Sequence, residues 1–425
     1  MIANKERNSH VDIIRGIAIL LVVLGHTMTG CTLNSQDSFL FNIVWSLQMP
    51  LFILISGYVT RYSKKISSGG MLWSYVKRRT MAYLLPWTVW TFLVRGILLG
   101  RVEYFNFKTV FWNMDSGYWF LISIWTISLI FGVSSYLANR ITSKKNCSNG
   151  NLKDIIFTGI FYVVGMALLA AVGLALGLSF FCIKLTLYYM PFYFVGYIYG
   201  KLQDKINEKA KGRWLTQIVV AVSLFAWLAI ILRISLYSIS DSGMGILVRA
   251  FASLTGCIAV CGVISPLFSN NQIGGGSFIV VWDSFTRNIH CPLLLSNSDE
   301  ARNDDKCKFH FGDNHNSSEL CCNDYTNSSC DKAVEYKPHS ENIIIRKNTI
   351  SETISNALHW AGTHSLDIYL LHGLLLNVIK TSMLPEFTTW QGCLLVFINY
   401  ILTLLLTCCV IEFLGQNKVL KKVLF

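Results

Sequence analysis

Long apolar stretches recur along almost the whole chain. The sequence has 425 residues, of which 53% are hydrophobic and 14% charged, and its mean hydropathy is +0.46. A soluble globular protein carries about 25% charged residues, and a helix needs about 20 apolar residues to cross a bilayer. The sequence therefore predicts an all-α, polytopic membrane protein of about ten transmembrane helices. The predicted spans are residues 13–29, 39–60, 80–99, 118–137, 155–175, 179–200, 214–234, 246–267, 365–384 and 394–414.

Positive charge alternates between the loops that join these spans. Cytoplasmic loops carry the excess of Lys and Arg, so the alternation predicts that both termini are cytoplasmic, and an even number of helices agrees with that placement. The net charge of +12 follows from these short loops, and nucleic-acid binding is not expected. The basic loops are 5–7, 61–79, 140–153, 201–213 and 418–422, whereas the opposite loops hold only Arg101, Lys108 and Lys184.

A polar segment interrupts the apolar pattern after the eighth span. It holds half of the chain's 24 acidic residues and includes three consecutive glycines near its start. Such a composition favours a loosely ordered loop. Its Cys and His residues lack the paired CxxC spacing of zinc sites, so no metal is predicted. The sequence thus divides into a membrane core with helices 1–8 (1–267), a cytoplasmic loop or insertion (268–356), and helices 9 and 10 with a short basic tail (357–425).

Three ionisable residues lie in the first predicted span or at its edge, namely Asp12, Arg15 and His26. Charged groups are costly inside a bilayer and usually face a cavity or a partner. Eleven positions separate Arg15 from His26, which places them within roughly 20° of the same helix face and about 16 Å apart along the axis. We therefore expect one polar face to run from the helix end into the membrane. His26 is the leading candidate because imidazole exchanges protons near neutral pH, although a packing histidine is the alternative.

A second candidate site is the basic cluster at the start of the third span. Lys77, Arg78 and Arg79 are consecutive there. Three neighbouring cations could bind the phosphates of a nucleotide-like donor. They could equally act as topology anchors, which is the more common role of such residues.

Polar or aromatic residues in other spans are candidates for the lining of a substrate cavity. Ser56 belongs to a Ser-Gly pair for which close helix packing is the default interpretation. An aromatic belt at the membrane interface would equally explain Trp119. The other candidates for this lining are Tyr58, Asp367 and His372.

Together these blocks resemble the membrane acyltransferase-3 family, the O-acyltransferases of surface polysaccharides and related glycans. The most specific feature is the spacing of Arg15 and His26, with ten residues between them. Supporting blocks are residues 52–58, 77–86, 118–121 and 365–372, and residues 189–201 resemble a branch described as fucose-4-O-acetylase-like. The long polar segment departs from the family, which usually has a short connection there.

The resemblance implies an acyltransferase of the cell (inner or plasma) membrane. Its donor would be a cytoplasmic acyl-CoA, most simply acetyl-CoA, and its acceptor a hydroxyl of a cell-surface or lipid-linked glycan. No permanently bound cofactor is expected. The essential histidine of the family corresponds to His26, its motif arginine to Arg15, and its basic site to Arg78 and Arg79.

Several questions stay open at the level of the sequence. His26 could act as a general base or could carry the acyl group transiently. Asp12 and Arg15 would orient the donor or tune the groups around it. Two other functions are possible for such a chain: a transporter of glycan or acyl intermediates, and a catalytically inactive member of the family that binds or senses a ligand.

Overall fold

The computed structural model describes residues 9–112, 118–143, 150–208, 210–267, 340–379 and 384–416. In these residues the regular structure is helical, apart from an isolated bridge between Leu33 and Glu386. The all-α prediction is confirmed. The helices are α1 (Ser9–Cys31), α2 (Phe39–Tyr58), α3 (Gly69–Leu98), α4 (Phe107–Trp112), α5 (Trp119–Ser143), α6 (Gly150–Leu176), α7 (Ile183–Glu208), α8 (Ala210–Ile231), α9 (Gly243–Leu267), α10 (Ser340–Thr363), α11 (Ser365–Ile379) and α12 (Trp390–Gly415).

Nine helices in the described part of the chain are long and apolar enough to cross a membrane. They correspond to the first eight predicted spans and the last one. The ninth predicted span, 365–384, contains the apolar helix α11, which has 15 residues. Such a helix is about 22 Å long, less than the hydrocarbon thickness of about 30 Å. The protein is thus a multi-pass helical membrane protein, while the orientation of its termini stays a prediction.

The third span is a continuous helix with two π-helical stretches. These stretches, Thr80–Leu84 and Val89–Leu98, lie on either side of Pro86. Proline has no N–H to donate and its ring clashes with the preceding turn, so the backbone around it departs from regular α-helical bonding. The irregular section begins directly after Arg79, which is the last residue of the regular α-helical segment.

Glycines allow α2 and α7 to cross at very short range. A Cβ atom at Gly57 would overlap the backbone carbonyl of Tyr193, and one at Gly196 would overlap the carbonyl of Leu54. Small residues at such positions let helix backbones approach closely within a membrane. The packing interpretation of the Ser-Gly pair in the second span is therefore confirmed for Gly57.

The same kind of contact joins α1 to the C-terminal part of α10. A Cβ atom at Gly16 would overlap the carbonyl of Leu358, and one at Gly362 would overlap the carbonyl of Asp12. Helix α10 begins at Ser340, inside the segment expected to be a loose loop. The Cys and His residues of that segment lie outside the described residues. The chain divides into two compact units, residues 1–278 with 353–425, and residues 279–352; all contacts discussed below belong to the first.

Candidate functional site

The His26 side chain reaches the protein surface although it lies on one of the most buried helices of the protein. Its chain neighbours Gly25 and Thr27 are both buried, whereas its own side chain is exposed. No described residue forms a hydrogen bond with its ring nitrogens. His26 is therefore not sealed among aliphatic side chains, and an imidazole in this state can exchange a proton with a bound molecule.

The ring of His26 faces His372 on α11. The two ring centroids are 5.2 Å apart and the rings are tilted by 40°. His372 is 4% exposed, and its Nδ1 lies 2.8 Å from the carbonyl oxygen of Ile368. A carbonyl oxygen only accepts hydrogen bonds, so Nδ1 must carry the hydrogen. In its neutral form His372 therefore has a lone pair on Nε2.

Aromatic side chains hold His372 and its helix in place. Tyr369 lies 6.0 Å from His372 between ring centroids, and Tyr118 lies 6.1 Å from Tyr369. The hydroxyl of Tyr118 donates to the carbonyl of Leu370, 3.2 Å away. The guanidinium of Arg95 lies over the Tyr118 ring at 4.4 Å from its centroid. A cationic and aromatic wall thus extends from α3 to the two histidines.

Trp119 and the adjacent Phe120 pack against different helices. It stacks on Tyr189 of α7 with a centroid distance of 5.7 Å and an angle of 16°. Phe120 instead contacts Tyr369, at 5.6 Å. The aromatic block thus fastens α5 to two separate helices, and no described contact brings Trp119 to His26.

Asp12 and Arg15 form a separate cluster at the other end of α1. Arg15 donates to Asp12 across 3.3 Å, and His359 of α10 approaches the second carboxylate oxygen to 3.8 Å. Asp12 is 1% exposed. Two aliphatic residues on the same helix face, Ile19 and Val22, lie between this cluster and His26, and both are fully buried. The expected continuous polar face is therefore wrong, because packing against neighbouring helices closes its middle.

The three cations of the basic cluster do not share one environment. Lys77 and Arg78 are exposed, whereas Arg79 turns inward. Its guanidinium lies 5.3 Å from the centroid of the Tyr75 ring and 5.9 Å from that of Tyr83, and Nη1 donates to the Tyr83 hydroxyl at 3.2 Å. Its Nε is buried and has no hydrogen-bond partner in the described residues. A desolvated cation with an unused donor favours an anionic ligand.

Of the remaining predicted cavity residues, Ser56 and Tyr58 bond to other partners, and Asp367 shares a helix with His372. Ser56 donates to the carbonyl of Phe52 in its own helix at 2.8 Å. Tyr58, at the end of α2, donates to Gln203 at 2.7 Å. Asp367 is 8% exposed in the first turn of α11, where a carboxylate is favourable. It precedes His372 by five positions and so lies about 140° around the helix from it.

One residue near His26 was missed in the sequence. A Cβ atom at Gly25 would lie 2.9 Å from the side-chain oxygen of Gln48, and that oxygen is buried and has no hydrogen-bond partner in the described residues. Gln48 is a polar residue within an apolar span, and that position could have marked it. His359 was missed as well, because it lies at the edge of the polar segment.

Comparison with known proteins places the first two thirds of the chain in one family. The family model described as "Acyltransferase domain", of the acyltransferase-3 type, matches residues 8–283. The chain belongs to the acyltransferase-3 family. The matched region contains Asp12, Arg15, His26 and the basic cluster, but ends before His372. The resemblance inferred from the sequence is confirmed at this level.

Two curated relatives are nodulation proteins. The chain is 24% identical over 224 residues to nodulation protein NolL of Sinorhizobium fredii, which covers 49% of this chain and 54% of that protein. It is 33% identical over 97 residues to nodulation protein NolL of Mesorhizobium japonicum, covering 21% and 24%. The chain thus spans about half the length, or less, of the curated relatives it matches. No solved structure gives a significant match.

Proposed function

We propose that this acyltransferase-3 protein is an O-acyltransferase of the cell membrane. It transfers an acyl group, most simply acetyl, from a cytoplasmic acyl-CoA to a hydroxyl of a cell-surface or lipid-linked glycan. The observation that carries this proposal is the accessible imidazole of His26 on a buried membrane helix, within the region that matches the family. Arg79, with a buried and unused donor, supports an anionic donor substrate.

A cleft beside Arg79 is a suitable entrance for the donor. It is lined in part by Lys64, Lys65 and Lys201, and the ring of Tyr75 forms another part of its wall. That ring also lies against the guanidinium of Arg79. Coenzyme A is rich in phosphate, and lysine and arginine are its natural partners. In this proposal the exposed Lys64 and Lys65, with Lys77 and Arg78, attract the phosphates. Lys201 is paired with Asp154 at 3.4 Å, and Arg79 holds the deeper part of the donor.

The reaction is a balanced exchange of an ester for a thioester. The acceptor oxygen forms a bond to the acyl carbonyl carbon, the carbon–sulfur bond breaks, and the hydroxyl proton passes to His26 and then to the departing thiolate. His26 is the general base in this scheme. In the alternative, His26 first takes the acyl group on a ring nitrogen and then passes it to the acceptor. Both schemes require an accessible ring nitrogen.

Asp12 and Arg15 have a different role in this proposal. Fully buried aliphatic side chains separate them from His26, so they do not touch the reacting atoms. They hold the end of α1 against α10. Ser56, whose hydroxyl donates within its own helix, likewise serves packing rather than chemistry.

The decisive experiment is acyl transfer by the purified protein in proteoliposomes. Acetyl-CoA is the donor, and a panel of nitrophenyl glycosides that includes a fucoside serves as acceptors, because residues 189–201 resemble the fucose-4-O-acetylase-like branch. Free thiol and the mass of the glycoside are measured. We expect transfer by the natural protein and a loss of at least about 100-fold in kcat for His26→Ala, with normal expression and melting.

A matched control separates chemistry from folding. His364 stacks on Trp360 at 4.5 Å and takes no part in the proposed site, so His364→Ala should retain transfer. Retained transfer by His26→Ala would remove His26 from the mechanism. Absence of transfer for every donor and acceptor, combined with movement of glycoside across the membrane, would instead favour a transporter.

A further inference from the structure

We propose that His372 is a positioning residue for His26, and that it acts by accepting a hydrogen bond from the His26 ring. This inference rests on the proposed function and extends it to a helix outside the region that matches the family model. It assigns a defined task to one of the two histidines that the fold brings together.

The first observation is that nothing else in the described structure fixes the ring of His26. Its nitrogens have no hydrogen-bond partner there, and its side chain is exposed. A general base must present one nitrogen, in its unprotonated form, to the acceptor hydroxyl. The other nitrogen must then carry the hydrogen, and the group that accepts a hydrogen bond from it normally sets this tautomer.

The second observation is that neutral His372 can offer His26 an acceptor nitrogen but no donor. The hydrogen on Nδ1 is used by the carbonyl of Ile368 at 2.8 Å. This leaves the Nε2 lone pair available. At a centroid distance of 5.2 Å, two imidazole rings are close enough for one water to bridge their nitrogens, and a small rotation of the His26 ring would allow a direct hydrogen bond.

The third observation is that His372 is held rigidly while His26 is accessible. His372 is 4% exposed, and its helix is fastened by the bond from Tyr118 to the carbonyl of Leu370. A positioning group must itself be immobile if it is to hold its partner in a productive geometry. The burial of one histidine and the exposure of the other therefore match the two roles.

The arrangement also accounts for the charge that develops during transfer. When His26 takes the hydroxyl proton it becomes an imidazolium, and its remaining N–H then donates more strongly to the Nε2 lone pair of His372. No proton needs to move to His372. The proton on His26 leaves with the thiolate, and both histidines return to their starting forms.

Three replacements of His372 distinguish positioning from packing. His372→Gln keeps an acceptor oxygen, whereas His372→Phe and His372→Leu keep apolar volume without an acceptor. In the acetyl-CoA assay we expect the Phe and Leu variants to lose about 10- to 100-fold in kcat with little change in KM. The Gln variant should stay within about threefold of the natural kcat, because its amide oxygen restores the acceptor.

Other outcomes would overturn the inference in recognisable ways. Full kcat in either apolar variant would show that His372 only packs against His26. A loss in the Gln variant as large as in the Phe variant, or a change in KM alone, would exclude an acceptor role. Melting in detergent identifies any variant that fails to fold, and the other apolar variant then decides. No transfer by the natural protein would overturn the proposed function itself.

Discussion

The two ends of α1 carry ionisable side chains in opposite surroundings. At one end Asp12 is buried, bonded to Arg15 at 3.3 Å and approached by His359. At the other end His26 is exposed and faces a second histidine at 5.2 Å. Both ends meet the general expectation that charged groups in a membrane have partners or a purpose. The pairing and burial of each group indicate whether it has a structural partner or is available for chemistry.

The comparison separates a structural polar cluster from a chemical one on a single helix. A buried carboxylate that is paired with a guanidinium and enclosed by neighbouring helices has little access to a substrate. An accessible imidazole with unused nitrogens retains that capacity. Fully buried Ile19 and Val22 keep the two clusters apart. The following predictions test that separation.

The largest expected effect is on stability at the Asp12 end. Asp12→Ala removes the carboxylate to which Arg15 donates, and breaking a buried ion pair typically costs about 3–5 kcal/mol. Because the side chain of Arg15 is 26% exposed, we expect a smaller loss of about 2–3 kcal/mol in the free energy of unfolding. The measurement is detergent-induced unfolding. For His26→Ala we expect the opposite result, namely normal stability and no acyl transfer. An Asp12→Ala protein that is stable but inactive would show that Asp12 also takes part in the chemistry.

A second effect on stability is expected at the contact between α1 and α10. Gly362→Ala would push a methyl group into the carbonyl of Asp12, and such overpacking costs about 1–3 kcal/mol. Gly373→Ala is the matched control, since no atom lies within 4 Å of its added Cβ. We expect the control to be neutral or to stabilise by up to about 1 kcal/mol. Equal melting temperatures for the two variants would contradict the close helix contact.

The smallest expected effect concerns donor binding. Arg79→Ala should raise KM for acetyl-CoA about tenfold, equivalent to about 1.4 kcal/mol, because the donor loses its contact with the inward guanidinium. Arg78→Ala should change KM by less than about threefold, since an exposed charge is screened by solvent and salt. Initial rates at varied acetyl-CoA concentration measure both. A larger effect for Arg78 would show that the donor binds at the exposed side of the cluster.

Much of the fold follows from the chain's composition and periodicity. Apolar runs long enough to span a bilayer predict helices, because a backbone in hydrocarbon must satisfy its hydrogen bonds internally. Eight predicted spans and the last one correspond to long apolar helices. The ninth corresponds to the described helix Ser365–Ile379, whose 15 residues are fewer than a span needs. The helical character of residues 340–356 was also missed, since their polar composition hides it.

The candidate site was predictable only in part. A histidine at fixed spacing from an arginine marked His26, and helical geometry placed Arg15 on the same face. That geometry could not indicate that Ile19 and Val22 would close the face between them. Adjacent residues of a helix differ by about 100° in direction, so Arg78 and Arg79 must point to different sides. The helix geometry could not indicate which of the two faces inward, because the neighbouring helices decide that.

The sequence by itself determined that this protein is a bundle of membrane helices and that its first helix carries an ionisable motif typical of acyltransferases. Only the tertiary structure decided which ionisable groups meet. His26 contacts His372, and Asp12 contacts His359, from helices at the far end of the chain. Local periodicity fixes the direction of a side chain about its own helix axis, whereas the packing of distant helices determines what that side chain faces.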